Sequence, residues 1–443
     1  MLEDGEDELQ AGLVSEKKKG ISPTGKVAWA SAMLLSGTCT TLFAKALFET
    51  KAHGSDRCYM HDDDDDDDNL THHCTFDKPW FSVLLMKLAM TMCLPLYYGF
   101  GWGKSEGAQA PSLDTIKRVY LPSGLDLLNT ILGNVGLLWV SSSIYQMTRG
   151  SVVIFSAFLS VRWLGKKLQN FHYFAIFFVI VAVALVGLAG TLSSDDESSG
   201  AGMVILGLGF IVAAQAVTAV QFIVEEEFMN EHKADRLDPV ALVGFEGLWG
   251  LAYFAVLAPY LTYTPDQGPR PEPISILWHE DFNDTFVQIS NSTQIAILCL
   301  GYFVTILMYN VSANVVTNCL SAVVRSILEA CRTLGVWIVG LLLYYIFKSN
   351  TVGEKWNVPW SFLELFGFFV LLLGTFSYKA LVKLPCVDPE SYEQAIRDDE
   401  EYEKRQKQKA DNAQYNTVND GGSRAYSSDK YQFLADNGNN STW

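Results

Sequence analysis

The sequence is poor in charge. Asp, Glu, Lys and Arg make up 18% of its 443 residues, where a soluble domain carries about 25%. It also lacks the signatures of several chemistries. No G-x-x-x-x-G-K-[ST] phosphate loop is present, which excludes a typical ATP-driven pump. No H-E-x-x-H pair and no nucleophile–base set is present, so nothing argues for an enzyme, and neither a cofactor nor a resident metal is implied. The first 20 residues run from acidic to basic without an apolar core, so no cleaved secretory signal is expected. The first apolar run, from Val27, then acts as an uncleaved signal-anchor.

What the chain has instead is apolar sequence, 49% of the residues, bunched into long uncharged runs with short polar breaks. A soluble protein would need several 20-residue runs buried on every face, so the distribution indicates a membrane protein. The net charge of −17 is concentrated in "EDGEDE" near the start, in Asp62–Asp68 and in "DPESYEQAIRDDEEYE". Such runs read as solvated, disordered segments and say little about partners. The expected partners are a small-molecule solute and the lipid bilayer, with no nucleic acid; the oligomeric state is left open.

Ten segments are long enough to cross about 30 Å of hydrocarbon. They are 27–48, 81–101, 119–140, 143–165, 171–192, 202–224, 240–262, 294–317, 321–347 and 360–383. The third and fourth nearly fuse and divide at Ser141–Ser143; the eighth and ninth divide near Cys319. Lys17–Lys19 and Lys26, Lys104 with Lys117 and Arg118, Arg162 with Lys166 and Lys167, and Lys379 with Lys383 all fall on one side of a ten-span chain. That side is cytosolic by the positive-inside rule, and both termini with it. The expected organisation is a cytosolic disordered segment 1–26, a five-helix unit 27–192 with an acidic lumenal loop 49–80, a second five-helix unit 202–384 with a lumenal loop 263–293, and a cytosolic disordered tail 385–443. The glycosylation acceptors Asn69, Asn283 and Asn291 fall in the lumenal loops.

The two halves repeat weakly. "RGSVVIFSAFLSVRWLGKKL" from Arg149 and "RTLGVWIVGLLLYYIFKS" from Arg332 each set an arginine before a small residue and an apolar span ending in basic residues. Five is odd, so the second unit enters the membrane in the opposite sense. Inverted repeats of this kind serve transporters, with the substrate between the halves. The fold class expected is therefore an all-α polytopic membrane protein with ten transmembrane helices in two inverted repeats.

Several stretches carry a family resemblance: "SIYQMTRGSVVIFSAFLSVRWLGKKL", "AQAVTAVQFIVEEEF", "GFEGLWG" and "VVRSILEACRTLGVW". They are similar to the F branch of solute carrier family 35 in the drug/metabolite transporter superfamily, which is related to chloroquine-resistance-transporter-like proteins. The resemblance covers roughly residues 25–385. It implies a transporter and leaves the cargo undefined.

A charge near the bilayer centre costs about 2.5–3.5 kcal/mol on insertion scales, so each one needs a cavity, a partner or the interface. Arg149 either lines a cavity or reaches the lumenal interface; Gln146, one turn earlier on the same face, favours the cavity. Asp126 and Asn129 share a face of the third span. Glu246 lies among Gly244, Gly247 and Gly250, which permit close helix approach, and it is a candidate proton carrier. Arg325, Glu329 and Arg332 stack as an ion-pair ladder that leaves one positive charge over. Gln215 and Thr218 share a face of the sixth span, followed by Gln221 and Glu225, with Glu225–Glu227 expected to be solvated at the cytosolic mouth. Asn310, Asn314 and Thr317 form a stripe that lines a cavity or joins helices. Solute binding is assigned to Gln146, Arg149, Asp126, Asn129, Gln215, Asn310, Asn314 and Arg332, and proton coupling to Glu246 and Glu329.

In the first lumenal loop, Cys58 and Cys74 are expected to form a disulfide in an oxidising compartment. His53, His61, His72 and His73 beside the seven aspartates admit loose metal capture as a second reading. The tail holds "YQFL", with Tyr431 and Leu434 spaced like a sorting signal for clathrin adaptors. The reading is a secondary transporter of a small organic solute in an endomembrane, most naturally lysosomal, with proton coupling as an option. The alternative is a non-transporting scaffold that acts through its acidic loop and tail. The buried polar stripes separate the two, since a scaffold has no use for them.

Overall fold

Ser22 and Pro23 start the first long helix. The Ser22 hydroxyl accepts from the Gly25 amide at 3.1 Å, and proline at the first helical position gives up an N–H that has no partner there. The computed structural model describes residues 22–59, 70–104, 110–162, 168–193, 200–229, 237–264, 275, 277–319, 322–346, 348, 353, 355–356, 358–378, 382, 388, 390–395, 397–398 and 401. Asn69, Tyr431 and Leu434 lie outside them.

In chain order the helices are α1 (Pro23–Glu49), α2 (Pro79–Thr91), α3 (Cys93–Phe100), α4 (Leu113–Arg118), α5 (Tyr120–Leu138), α6 (Ser142–Arg149), α7 (Val152–Arg162), α8 (Asn170–Ser193), α9 (Gly200–Met229), α10 (Pro239–Tyr263), α11 (Phe282–Asn291), α12 (Thr293–Cys319), α13 (Ala322–Tyr345) and α14 (Trp360–Tyr378). Pro95 explains the break between α2 and α3. It has no N–H, and its ring meets the carbonyl four residues back, which belongs to Thr91, where α2 ends. Ser141 explains the next division: its hydroxyl accepts from the Ile144 amide at 3.3 Å and opens α6.

Among the described residues, seven helices are long and apolar enough to cross a membrane. They make this a polytopic, mainly helical membrane protein. The helices in the expected spans 119–140, 143–165 and 321–347, namely α5, α6 with α7, and α13, are not among the seven. They carry Asp126, Gln146, Arg149, Arg325, Glu329 and Arg332, while Lys87 and Glu246 lie in two of the seven. Large apolar side chains such as Phe158, Phe177, Ile205, Val256, Ile297 and Leu300 are exposed on the chain's outer face, as lipid contact requires.

Two expectations need correction. Residues 49–80 are not a plain loop: β1 (Lys51–Tyr59) pairs antiparallel with β2 (Leu70–Thr75), in register Lys51↔Thr75, Ala52↔Cys74 and His53↔His73, with an irregularity before Cys58↔Thr71. The mainly helical fold therefore carries one β-ribbon. The polar segment from Asp388, expected to be disordered, is helical at 390–395. There Tyr392 is buried against Phe171, the rings stacked with centroids 4.4 Å apart, and Gln169 Nε2 donates to Asp398 Oδ2 at 3.0 Å. An aromatic stack and a hydrogen bond dock a segment that its composition marks as soluble.

The principal helix contacts pair α1 with α12 and α13, α9 with α5, α6 and α7, α2 with α10 and α12, α10 with α5, α13 with α6, and α14 with α8. The closest approach is α10 on α2. A Cβ at Gly247 would collide with the Thr91 amide nitrogen and the Met90 backbone, and one at Gly250 with the Lys87 side chain. A backbone atom cannot swing aside, so the fit excludes any side chain at 247. Gly247→Val is expected to destabilise the solubilised protein by about 1–3 kcal/mol, seen as a lower thermal midpoint. Gly209→Ala, where the space is open, should leave the midpoint unchanged.

Candidate solute site

Two buried polar clusters lie between the helices. The first gathers around Glu329 of α13. Arg332, one turn on, pairs with it at 2.9 Å and donates to Gln146 Oε1 of α6 at 3.1 Å. Gln146 Nε2 donates to Thr41 Oγ1 of α1. Tyr309 of α12 donates its hydroxyl to Glu329 Oε1, and its ring lies under the Arg332 guanidinium, 4.8 Å from the centroid. Arg149 sits over the Tyr145 ring at 5.7 Å and lies within electrostatic reach of Tyr309 and Glu329. Arg332 is 3% exposed and Gln146 2%, and Arg332 Nε has no hydrogen-bond partner. Two guanidinium groups face one carboxylate, leaving a positive charge in a partly buried site. A positive charge so placed favours an anionic partner.

The second cluster lies between α2, α5, α9, α10 and α13. Lys87 is fully buried, with its ammonium 2.5 Å from Asp126 Oδ2 and 3.4 Å from the Ser123 carbonyl. Gln221 Nε2 donates to Asp126 Oδ1 at 3.3 Å and to Glu225 Oε1, and Glu225 Oε2 lies 3.8 Å from Arg325 Nη1. Ser123 donates to the Glu246 carbonyl at 2.6 Å. Glu246 is 2% exposed, and its Oε1 has no hydrogen-bond partner. Three carboxyl groups stand against two cations, so the cluster reaches electrical balance when it holds one proton. Tyr302 of α12 is buried within electrostatic reach of both Tyr145 and Asp126.

Arg149 and Arg332 thus meet in one place, with Gln146 and Glu329. Asp126 and Glu246 share the other cluster, and Asn129 borders it by accepting from Thr218 Oγ1 at 2.7 Å. Gln215 is buried on α9 just before that contact. Asn310 and Asn314 behave differently: their amides donate back along α12 to Ile306 and Asn310 carbonyls, at 3.0 and 3.2 Å. The ladder on α13 is also incomplete, because Arg325 turns to Glu225 on another helix while Glu329 takes Arg332. Glu225, expected to be solvated, is 3% exposed; the approach of α13 to α9 supplies its cation. Thr41, Tyr145, Tyr302 and Tyr309 carry no sequence signal that separates them from ordinary packing residues.

A third polar junction lies outside the spans, at the ribbon. Asp284 of α11, 1% exposed, accepts from the Ser55 amide at 2.7 Å, the Gln288 side chain at 2.7 Å and Lys78 at 2.8 Å. Asn291, itself exposed, donates to the His53 carbonyl at 2.9 Å. The expected loops 49–80 and 263–293 are therefore bound together. Glu280 accepts from the Trp80 and Phe81 amides at 2.8 and 2.7 Å, the first-turn N–H groups of α2 that have no intrahelical acceptor. Cys74 is disulfide-bonded, and Cys58 lies on the opposing strand. Asn283 is exposed at the start of α11. His53 and His73 face each other across the ribbon, ring centroids 5.4 Å apart, while His61 and Asp62–Asp68 fall outside the described residues.

Burial pushes the Glu280 carboxyl up to about 7, against Lys78 and the two amides, which pull it down. The folded junction thus holds this proton more tightly than an open one, where the carboxyl titrates near 4.5. Its stabilisation is full below about pH 4.5 and is lost as pH rises toward 7, by at most ~3 kcal/mol. Amide exchange at Ser55 and Trp80 should accelerate over that window. Glu280→Gln should flatten the dependence, and an unchanged slope in the variant would assign it to another group.

No protein-family model matches the chain. Among curated proteins, it is 31% identical over 356 residues to solute carrier family 35 member F6 of Homo sapiens, covering 80% of this chain and 88% of that one. The same member from Pongo abelii matches at 31% over the same shares. An uncharacterized protein of Schizosaccharomyces pombe is 29% identical over 293 residues, covering 64% of this chain and 82% of its own.

Proposed function

The chain belongs to solute carrier family 35, and from that premise we propose that it is a secondary active transporter of a small organic solute, working by alternating access between two inverted five-helix repeats. The observation that carries the reading is the convergence of Arg149 and Arg332, from equivalent points of the two halves, on one partly buried carboxylate, Glu329, with Gln146 beside them. A non-transporting scaffold has no use for such a group. The helix contacts support the repeat. Counting α2–α3 and α6–α7 each as one span, exchanging spans one to five with six to ten turns the α1–α12 contact into α9–α5, and α2–α12 into α10–α5. It maps α2–α10, α6–α13 and α8–α14 onto themselves. A two-fold axis between the halves accounts for all of these at once.

Solute binds at Arg149, Arg332 and Gln146, with Asn129 and Gln215 on the neighbouring wall. The three-carboxyl cluster carries the coupling proton, with Glu246, whose Oε1 is unpartnered, as its acceptor. Both termini face the cytosol, and the ribbon and α11 face the lumen of an endomembrane compartment, lysosomal if "YQFL" is read by clathrin adaptors. Cys58 then pairs with Cys74, and Asn69, Asn283 or Asn291 carries glycan. Comparing the metabolites of lysosomes with and without the protein tests the function, followed by uptake of the accumulated compound into proteoliposomes. Gradient-driven uptake is expected; a compound that accumulates in the lysosomes yet is not carried by the purified protein would move the reading to the scaffold. A protease site on either terminus should be cut in intact organelles, and protection of one end would change the span count.

A further inference from the structure

Arg325 belongs to the second cluster through Glu225 and stands on the same helix as Glu329 of the first. Its guanidinium is loosely held. The nearest carboxylate oxygen, on Glu225, is 3.8 Å away, where Lys87–Asp126 closes to 2.5 Å and Arg332–Glu329 to 2.9 Å. Its bond to Thr317 Oγ1 is long at 3.4 Å, its Nε has no partner, and the rest of its support is the Phe222 ring at 4.7 Å. Glu329 lies four residues on in the same helix. That spacing puts the two on one face about 6 Å apart along the axis, within reach of a new arginine rotamer.

We propose that Arg325 is a positioning residue that couples the clusters, its guanidinium moving from Glu225 to Glu329 when the carboxyl cluster takes up a proton. The proposal rests on the transport reading above. The groups around it are Glu225 on α9, Glu329 and Arg332 on α13, Asp126 on α5, Lys87 on α2, Glu246 on α10, and Arg149 on α6 beyond Glu329. The charges balance. With Arg325 on Glu225, three carboxylates and two cations give −1. After one proton enters and Arg325 leaves, two carboxylates and Lys87 again give −1. The positive charge brought by the proton is passed to the solute cluster, where three guanidinium groups then share Glu329 and hold it less tightly to Arg332. Protonation is thereby tied to the charge offered to solute without changing the net charge of the carboxyl cluster.

The test needs no solute. The full chain, labelled with ¹⁵N-arginine in lipid nanodiscs, is titrated from pH 8 to pH 4.5 while the Arg325 Nε–H resonance, assigned by its loss in Arg325→Lys, is followed. A shift between two positions is expected. Glu225→Gln should hold the resonance at its low-pH position at every pH, and Glu329→Gln at its high-pH position. A wild-type resonance that does not move overturns the proposal without recourse to any variant, as does a titration that persists in Glu225→Gln. Either result leaves solute uptake standing as a separate measurement; a mobile Arg325 in a protein that carries no solute would overturn the transport reading instead.

Discussion

Lys87→Met is expected to cost about 3–5 kcal/mol, because it strands Asp126 as a buried charge without its cation. The ammonium is fully buried, bonded to Asp126 Oδ2 and the Ser123 carbonyl, and its methylenes fill the groove left by Gly250. Methionine keeps that packing and removes the charge, so the effect isolates the ion pair. The thermal midpoint of detergent-solubilised protein should fall sharply, and recovery of monodisperse material with it. Lys87→Met combined with Asp126→Leu should regain most of the loss, since a pair replaced by apolar groups of similar size leaves nothing stranded. A double variant as unstable as the single one would show that shape, not charge, holds this contact.

Arg149→Ala should abolish uptake while the fold is retained. Arg149 supplies the surplus charge, and without it Arg332 still neutralises Glu329 at 2.9 Å. Losing a buried charge partner costs 2–5 kcal/mol of binding, at least about a 30-fold weakening. Arg332→Ala should lose both uptake and stability, because Glu329 Oε2 and Gln146 Oε1 then lose their guanidinium donor. Arg149→Lys separates charge from geometry: retained uptake points to a point charge, lost uptake to the planar fork. Glu246→Gln should abolish the response of net uptake to a pH gradient and spare counterflow, since the amide keeps the shape without the titration. Normal counterflow and affinity in Arg149→Ala would return that arginine to the interface. Unchanged proton-driven uptake in Glu246→Gln would remove it as the carrier.

Much of the fold was legible in the chain because a helix is a local object. The break at Ser141 follows from a hydroxyl that caps its own next turn, whereas the expected span 81–101 passes over the break that Pro95 makes inside it. The glycines at 244, 247 and 250 advertised close packing because their spacing places them on one helix face. Gln146, Arg149 and Arg332 stood out because charge and amide are rare in apolar runs. The partners were another matter. By spacing, Arg325 belongs with Glu329; the structure gives it Glu225, and it gives Lys87 to Asp126 across 39 positions. Asp284 and Ser55, 229 positions apart, lock two segments that read as independent loops. Tyr392 and Asp398 dock a segment whose composition reads as disordered. Sequence by itself determined which residues could not face lipid, since burial cost belongs to each side chain. Which charge satisfies which is a matter of distances between helices, and those arise only when glycine and alkyl surfaces have packed.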